Sequence, residues 1–487
     1  MSYFHFLGHP MNLKRCLSFL VVCVFTFFLA LVPTSFYGVN PETLEPLFTL
    51  TQQRVIAIFV FTAMMWILEV IPTWTTSVVA IVSILLTTSN KGLGFLMVEG
   101  VGKMTNYKDI MAAFADPVIM LFLGGFVLAF AATKVGLDVQ LAKFMLKPFG
   151  TNPKTVLLGV LLVIGIFSMF MSNTATAAMM LTFLTPVLAT LPKDGGGRIS
   201  LALAIPIAAN LGGMGTPIGT PPNAIALGAL QEAGYAITFA GWMIRMVPFV
   251  IVMLLIAWFL LTKLYPFKAK SIVLKIEGAP VKVTPFQKYV VWVTFALTII
   301  LWVFESVFGV NSNIVAMIPF AVFSATGILK ARDLEHINWA VLWMVAGGFA
   351  LGTALNQTGL ATTLIQNIPF ASWNALVVML VGGFICYFLS NFISNSAAAN
   401  LVVPILIVVG KAMSGNPTFE GLGGVPAMIV GVAICASLAM CLPVSTPPNA
   451  LAHSTGMITT KQMATVGIVL GAIGIVLGYL MLVFIGF

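Results

Sequence analysis

The chain has 487 residues, 60% hydrophobic and only 8% charged, with a mean hydropathy of +1.07, where an ordinary soluble domain carries about 25% charged residues. That balance excludes a soluble enzyme and describes a multi-pass protein of the lipid bilayer. The formal net charge of +9 does not point to nucleic acid, because the lysines and arginines sit at segment ends, where they set membrane topology.

A spanning helix needs about 20 apolar residues, and the candidates follow in order. The first, 17 to 33, comes after Lys14 and Arg15. A secretory signal shares that pattern, but neither Val32-Pro33-Thr34 nor Ser35-Phe36-Tyr37 makes a small-x-small cleavage site, so it reads as a membrane helix. Next come 55 to 72, 74 to 88 and 118 to 136, then a polar-centred stretch 155 to 191, a segment 200 to 232 broken at its centre, and 242 to 262. After a lysine-rich stretch, 263 to 288, the pattern resumes with 289 to 306, 312 to 329, 340 to 358, a second polar-centred stretch 373 to 411, a second broken segment 425 to 456, and 463 to 487. The chain divides into an N-terminal helix and outer loop (1 to 54), a first repeat (55 to 262), a cytoplasmic linker (263 to 288) and a second repeat (289 to 487).

The repeats are visible in their polar motifs. Ser172-Asn173-Thr174 returns in the second half as Ser394-Asn395-Ser396, and each is followed by Thr-Pro-Pro-Asn, at Thr220 to Asn223 and at Thr446 to Asn449, with nearly the same spacing. Polar motifs that interrupt apolar segments at matching places in two halves are the sign of a secondary transporter, with its site where the broken helices meet.

Placing the N-terminus inside on account of Lys14 and Arg15, and letting each polar-centred stretch enter and leave by one side, puts Lys134, Lys143, Lys147, Lys154, Lys193, Arg198, the lysines from Lys263 to Lys288, Lys330, Arg332 and Lys461 inside. Lys91, Lys103 and Lys108, offset by Glu99, Asp109 and Asp116, fall outside, as does Lys411. The count is eleven spans and two re-entrant hairpins, with the C-terminus outside. Two complete helices joined by a tight turn would leave the same charge pattern. The tips favour the hairpin: they lack the Gly or Pro of a surface turn, and non-helical backbone at membrane depth is tolerated only against protein or a water-filled cavity.

The tips suit an anion. Asn173 or Thr174 can cap a helix running on through Ala175, leaving amide N–H groups and the positive dipole end at the tip, and Asn395 with Ser396 can do the same ahead of Ala397. A carboxylate is held at such a terminus without arginine, and two grips suit a dicarboxylate. In Gly212 to Asn223 the glycines and three prolines break the helix, with Thr220 as cap of the restart; Leu442 to Asn449 reads alike. Unwound carbonyls beside Ser172, Asn173, Ser394 and Asn395 are neutral oxygens that suit Na+. No Asp, Glu or His lies within the motifs, as a proton-coupled carrier would more often show.

Other polar residues carry less. Glu69 and Glu305 read as interfacial or paired carboxylates, since either would repel an anion, and His453 as a packed helical histidine. Cys16, Cys23, Cys386, Cys435 and Cys441 lie in apolar stretches without a CxxC or histidine cluster and read as small core side chains. An intramembrane hydrolase would need a nucleophile and base in reach, and only His453 lies at membrane depth with no Gly-x-Ser-x-Gly beside it.

Taken together, Ser172-Asn173-Thr174, Ser394-Asn395-Ser396, Gly215 to Asn223 and Ser445-Thr446-Pro447-Pro448-Asn449, with Trp66 to Pro72 as a weaker addition, resemble the divalent anion/sodium symporter family over nearly the whole chain. The resemblance implies an all-α fold of eleven helices and two opposed hairpins in inverted repeats, a homodimer with a fixed scaffold, and a transport domain that moves like an elevator. It implies substrate contacts at Ser172, Asn173, Thr174, Ser394, Asn395, Ser396 and Thr446, to which Thr220 and Pro447 at the breaks are added, and sodium sites using Asn173 with Ser172 and the Gly215 region, and Asn395 with Ser445 before Thr446. Ser168, one turn before Ser172, joins the first. Ser396 stands where the family commonly has threonine, which leaves substrate size open. The expected activity is Na+-coupled uptake of C4-dicarboxylates across a bacterial inner membrane, with a sodium-independent exchanger of the same fold as the alternative.

Overall fold

The computed structural model describes residues 4–6, 9–11, 13–40, 44–98, 100–192, 195–274 and 283–487. Glu99, Lys193 and the linker lysines Lys275 and Lys282 lie outside the described residues. The described chain is helical apart from a short antiparallel ribbon, Phe4–Phe6 with His9–Met11, which the sequence reading did not anticipate.

Ten described helices are long and apolar enough to cross a membrane. Three of them are hairpin arms, Pro153–Phe170, Ala375–Phe392 and Asn395–Met413, which leaves seven crossings. Two shorter apolar helical segments, Thr73–Thr87 and Ser312–Ala325, and two broken helices, Gly196–Gly213 with Pro221–Glu232 and Gly424–Leu438 with Pro447–Ser454, complete the expected eleven. Local chemistry sets the boundaries. Thr49 with Gln52, Thr284 with Gln287 and Thr459 with Gln462 form reciprocal capping boxes, and Asp116-Pro117 and Asn152-Pro153 pair a capping side chain with proline at the first helical position.

The two halves are built alike in space. Helix Pro117–Val135 packs on Ser312–Ala325, and its counterpart Trp339–Gln357 packs on Thr73–Thr87. Each crossing is made at a glycine: a Cβ on Gly124 would collide with the Ala316 carbonyl, and one on Gly347 would collide with the Ser77 side chain. These two glycines hold matching places, since Gly124-Gly125-Phe126 returns as Gly347-Gly348-Phe349. The amphipathic helices Leu137–Leu146 and Leu360–Asn367, which hydropathy did not single out as elements, follow the two long helices in the same way. The halves also interlock, because the restarted helix Pro221–Glu232 packs on the second hairpin's returning arm and Pro447–Ser454 on the first hairpin's. Neither half is therefore a free-standing unit.

Candidate functional site

The first hairpin turns at Met171 and Ser172 between Pro153–Phe170 and Asn173–Thr190, and the second at Ile393 and Ser394. Both tips line one cavity of about 220 Å³ together with the two helix breaks. Complete helices with surface turns would have left the tips on opposite faces; their meeting in one cavity fits the re-entrant reading.

The capping residues differ from expectation by one position. Ser172, with extended backbone, accepts from Ala175 N at 3.2 Å, and Ser394 accepts from Ala397 N at 3.2 Å. The caps are therefore these serines, and not Asn173 or Thr174, nor Asn395 or Ser396, because a serine just outside the first turn has the reach to the third amide. Asn173, Thr174, Asn395 and Ser396 then occupy the first helical positions, where backbone N–H groups have no partner within the helix. Thr220 is extended at the cap position of its restart but its hydroxyl accepts no capping bond; Asn223 N donates to the Thr220 carbonyl instead, at 3.1 Å. Thr446 does cap, accepting from Asn449 N at 3.3 Å.

All nine residues assigned to substrate line the cavity: Ser172, Asn173, Thr174, Ser394, Asn395, Ser396, Thr220, Thr446 and Pro447. Four helix N-termini thus converge on one space, and no charged side chain lines it among the described residues. Each N-terminus carries roughly half a positive charge. Proline at the first two positions of each restart supplies no N–H, so the breaks contribute dipole and threonine hydroxyl, while the hairpins contribute amides.

Asparagine side chains hold the breaks open. Asn223 Nδ2 donates to the carbonyls of Gly213 (3.1 Å), Met214 (3.3 Å) and Thr216 (2.8 Å). Asn449 Nδ2 donates to those of Met440 (2.9 Å) and Leu442 (3.0 Å). Carbonyls freed by unwinding would otherwise be buried without partners.

The residues assigned to sodium fall in two groups. Ser168 and Asn173 meet directly: the Asn173 carboxamide lies 2.7 Å from Ser168 Oγ, 3.2 Å from Ala209 O and 3.0 Å from Gly219 O. Turned one way its nitrogen donates to all three; turned the other, its oxygen joins three oxygens that a cation would satisfy. A Cβ on Gly213 would collide with this carboxamide, so any larger residue there must push it aside. Gly215 itself lies against the Met169 side chain, and the carbonyls beside Asn173 are those of Ala209 and Gly219. Thr216 Oγ1 donates to Met169 O and ties this break to its hairpin. In the second half Ser445 Oγ accepts from Leu442 N at 3.0 Å and donates to Asn391 O at 3.2 Å. Among the described residues, Asn395 Oδ1 and Ser437 Oγ are buried without a hydrogen-bond partner, and Ser390 Oγ has none beyond a contact with the Cys386 thiol.

Several site residues escaped the sequence reading. Ser390 precedes Ser394 as Ser168 precedes Ser172, and the repeat alone would have found it. Asn210 lines the cavity from Gly196–Gly213, and its only sequence signal is an amide in an apolar helix. Thr73, Phe122, Phe126 and Asn338 reach the cavity from outside the motifs, which no local pattern announces. Glu305 Oε1 accepts from Phe239 N at 3.2 Å, His453 pairs with Thr460 at 3.2 Å, and neither these nor Glu69 lines the cavity. A second hollow of about 210 Å³, lined by Phe130, Thr133 and His336, shares Phe126, Ser172 and Asn338 with the first. The site therefore adjoins an approach from the face that bears Lys134 and its ion-pair partner Asp333.

Known proteins match this architecture. The citrate transporter family model matches residues 63–422. The chain is 30% identical over 466 residues to a sodium-dependent dicarboxylate transporter of Staphylococcus saprophyticus, covering 88% of this chain and 85% of that protein. It is 29% identical over 454 residues to the sodium-dependent dicarboxylate transporter of Staphylococcus aureus, covering 85% and 82%, and 32% identical over 397 residues to an uncharacterised transporter of Haemophilus influenzae, covering 77% and 82%. The Alcanivorax borkumensis YdaH transporter, described as having an unusual topology, shares the fold with a TM-score of 0.55 at 14% identity, covering 89% of this chain and 98% of that one.

Proposed function

The chain belongs to the citrate transporter family, among the divalent anion/sodium symporters its motifs resemble, and on that basis we propose that it carries C4-dicarboxylates such as succinate, malate or fumarate, coupled to Na+. It is a membrane transporter and not an enzyme. The observation that carries the substrate class is the cavity where four positive helix ends and two Ser-Asn tips meet without a charged side chain. A dianion with a carboxylate at each end matches two opposed sets of donors, and fixed dipoles at helix N-termini favour negative charge.

Sodium is supported by the donor sets and by the names of the relatives. The first ion is assigned to Asn173, Ser168 and the carbonyls of Ala209 and Gly219, with Ser172 and the Gly215 segment framing it. The second is assigned to Asn395 in the half that holds Ser390, Ser437 and Ser445. Hard neutral oxygens suit an alkali cation, and two cations offset the charge of the anion between them. In this reading the face bearing Lys134 is cytoplasmic, the membrane is a bacterial inner membrane, and the N-terminus lies inside and the C-terminus outside. The protein works as a homodimer whose hairpins and broken helices move against a scaffold, as the family resemblance implies.

Uptake of radiolabelled succinate into proteoliposomes tests the reading. Replacing external Na+ with choline is expected to abolish it. Unchanged uptake that depends instead on a dicarboxylate loaded inside would identify a sodium-independent exchanger.

A further inference from the structure

Asn210 is 1% exposed, lines the cavity, and belongs to the first broken helix, yet its hydrogen bonds go to the second. Its Nδ2 donates to Thr446 Oγ1 and to Asn449 Oδ1, both at 3.1 Å. The direction of these bonds is forced. The carbonyls of Met440 and Leu442 accept only, so Asn449 must turn its nitrogen to them and its oxygen to Asn210. Asn210 must then present nitrogen to Asn449, and that nitrogen also reaches Thr446. Thr446 Oγ1 accepts a second bond from Asn449 N at 3.3 Å. A hydroxyl has two acceptor lone pairs and one proton; both pairs are engaged, and among the described residues the proton has no acceptor.

We propose that Asn210 is a positioning residue for substrate, fixing Thr446 as a donor into the cavity so that the group taken there is an ionised carboxylate. An uncommitted hydroxyl can turn its oxygen to a hydroxyl or carboxylic acid as readily as its proton to an anion; Thr446 has lost that choice. Thr220, at the matching place in the first half, makes no capping bond, so the discrimination is concentrated at the second break. The coupling runs from one repeat to the other, and aligning the first broken helix is therefore a condition for the second half to bind. This inference rests on the dicarboxylate reading and adds a residue to it.

The test is a double-mutant cycle on the purified full chain in saturating Na+, with the Kd for succinate measured by calorimetry. Asn210→Ala and Thr446→Val are each expected to raise Kd about tenfold, the scale of one charge-assisted hydrogen bond. The double variant is expected to be no weaker than Thr446→Val alone, and Asn210→Ala is expected to act fully in a Thr446→Ser background. Multiplied effects of about a hundredfold in the double variant, or wild-type binding by Asn210→Ala, would overturn the role of Asn210. Wild-type binding by Thr446→Val would instead remove Thr446 from the substrate site, a failure of the functional reading itself. If Asn210→Ala does not fold, Asn210→Ser, too short to reach Thr446, replaces it with the same expectations.

Discussion

The two halves meet the cavity with the same motif and leave different accounts of their oxygens. Their serine caps are alike at 3.2 Å, and an asparagine staples each break. In the first half Asn173, Ser168, Ala209 and Gly219 close into a bonded cluster beneath Gly213. In the second half Asn395 Oδ1 and Ser437 Oγ are buried without partners among the described residues, while Thr446 is clamped by Asn210 and Asn449. A buried unpaired polar atom costs about 1–3 kcal/mol and calls for an explanation such as a ligand. The first half's cluster around Asn173 is thus assembled in advance, whereas the oxygen of its counterpart Asn395 is completed by what binds; Asn210 Oδ1 and Thr176 Oγ1, in the first half, are likewise buried without partners among the described residues.

Loss of either carboxamide is the largest expected effect. Asn173→Ala and Asn395→Ala each remove substrate-facing and ion-facing donors at once, and uptake is expected to fall at least about a hundredfold, as for about 3 kcal/mol. Only the first is expected to lower the thermal midpoint without ligand, because only Asn173 has internal partners to lose. Equal destabilisation would erase the difference between the halves.

Gly213→Ala comes next. The added methyl pushes on Asn173, and overpacking of about 1–3 kcal/mol is expected to appear as a Na+ half-saturation raised about tenfold or more. Counting back equally from Thr220 and Thr446, the matching position is already Ala439, so Ala439→Gly is expected to leave Na+ dependence near wild type. Uptake against Na+ concentration measures both.

Ser168→Ala and Ser390→Ala separate pre-assembly from binding. Both are expected to weaken Na+ dependence. Ser168→Ala also breaks its 2.7 Å bond to Ala209 O, at a cost of about 1 kcal/mol in the ion-free protein, while Ser390→Ala costs little there. Thermal unfolding with and without Na+ gives the two contributions. The smallest effect is expected from Thr220→Val, roughly twofold in succinate affinity, since that hydroxyl is held by no capping bond.

Much of this was legible in the chain. Hydropathy located the crossing segments, and duplicated Ser-Asn and Thr-Pro-Pro-Asn motifs located the four turns that meet. What escaped depends on neighbours distant in sequence. Whether Ser172 or Asn173 caps is a matter of side-chain reach that a shift of a single position decides. Asn210 acquires its role only because Thr446 and Asn449, which lie in the other half of the chain, come within 3.1 Å. Leu137–Leu146 and Leu360–Asn367 are too short to register as spans.

Succinate binding by calorimetry in Na+ to wild type, Asn173→Ala and Asn395→Ala decides whether one dianion is held from both tips. Binding by wild type and its loss in both variants is the expected outcome. Wild-type affinity in either variant would show that a single tip suffices and would refute the shared site.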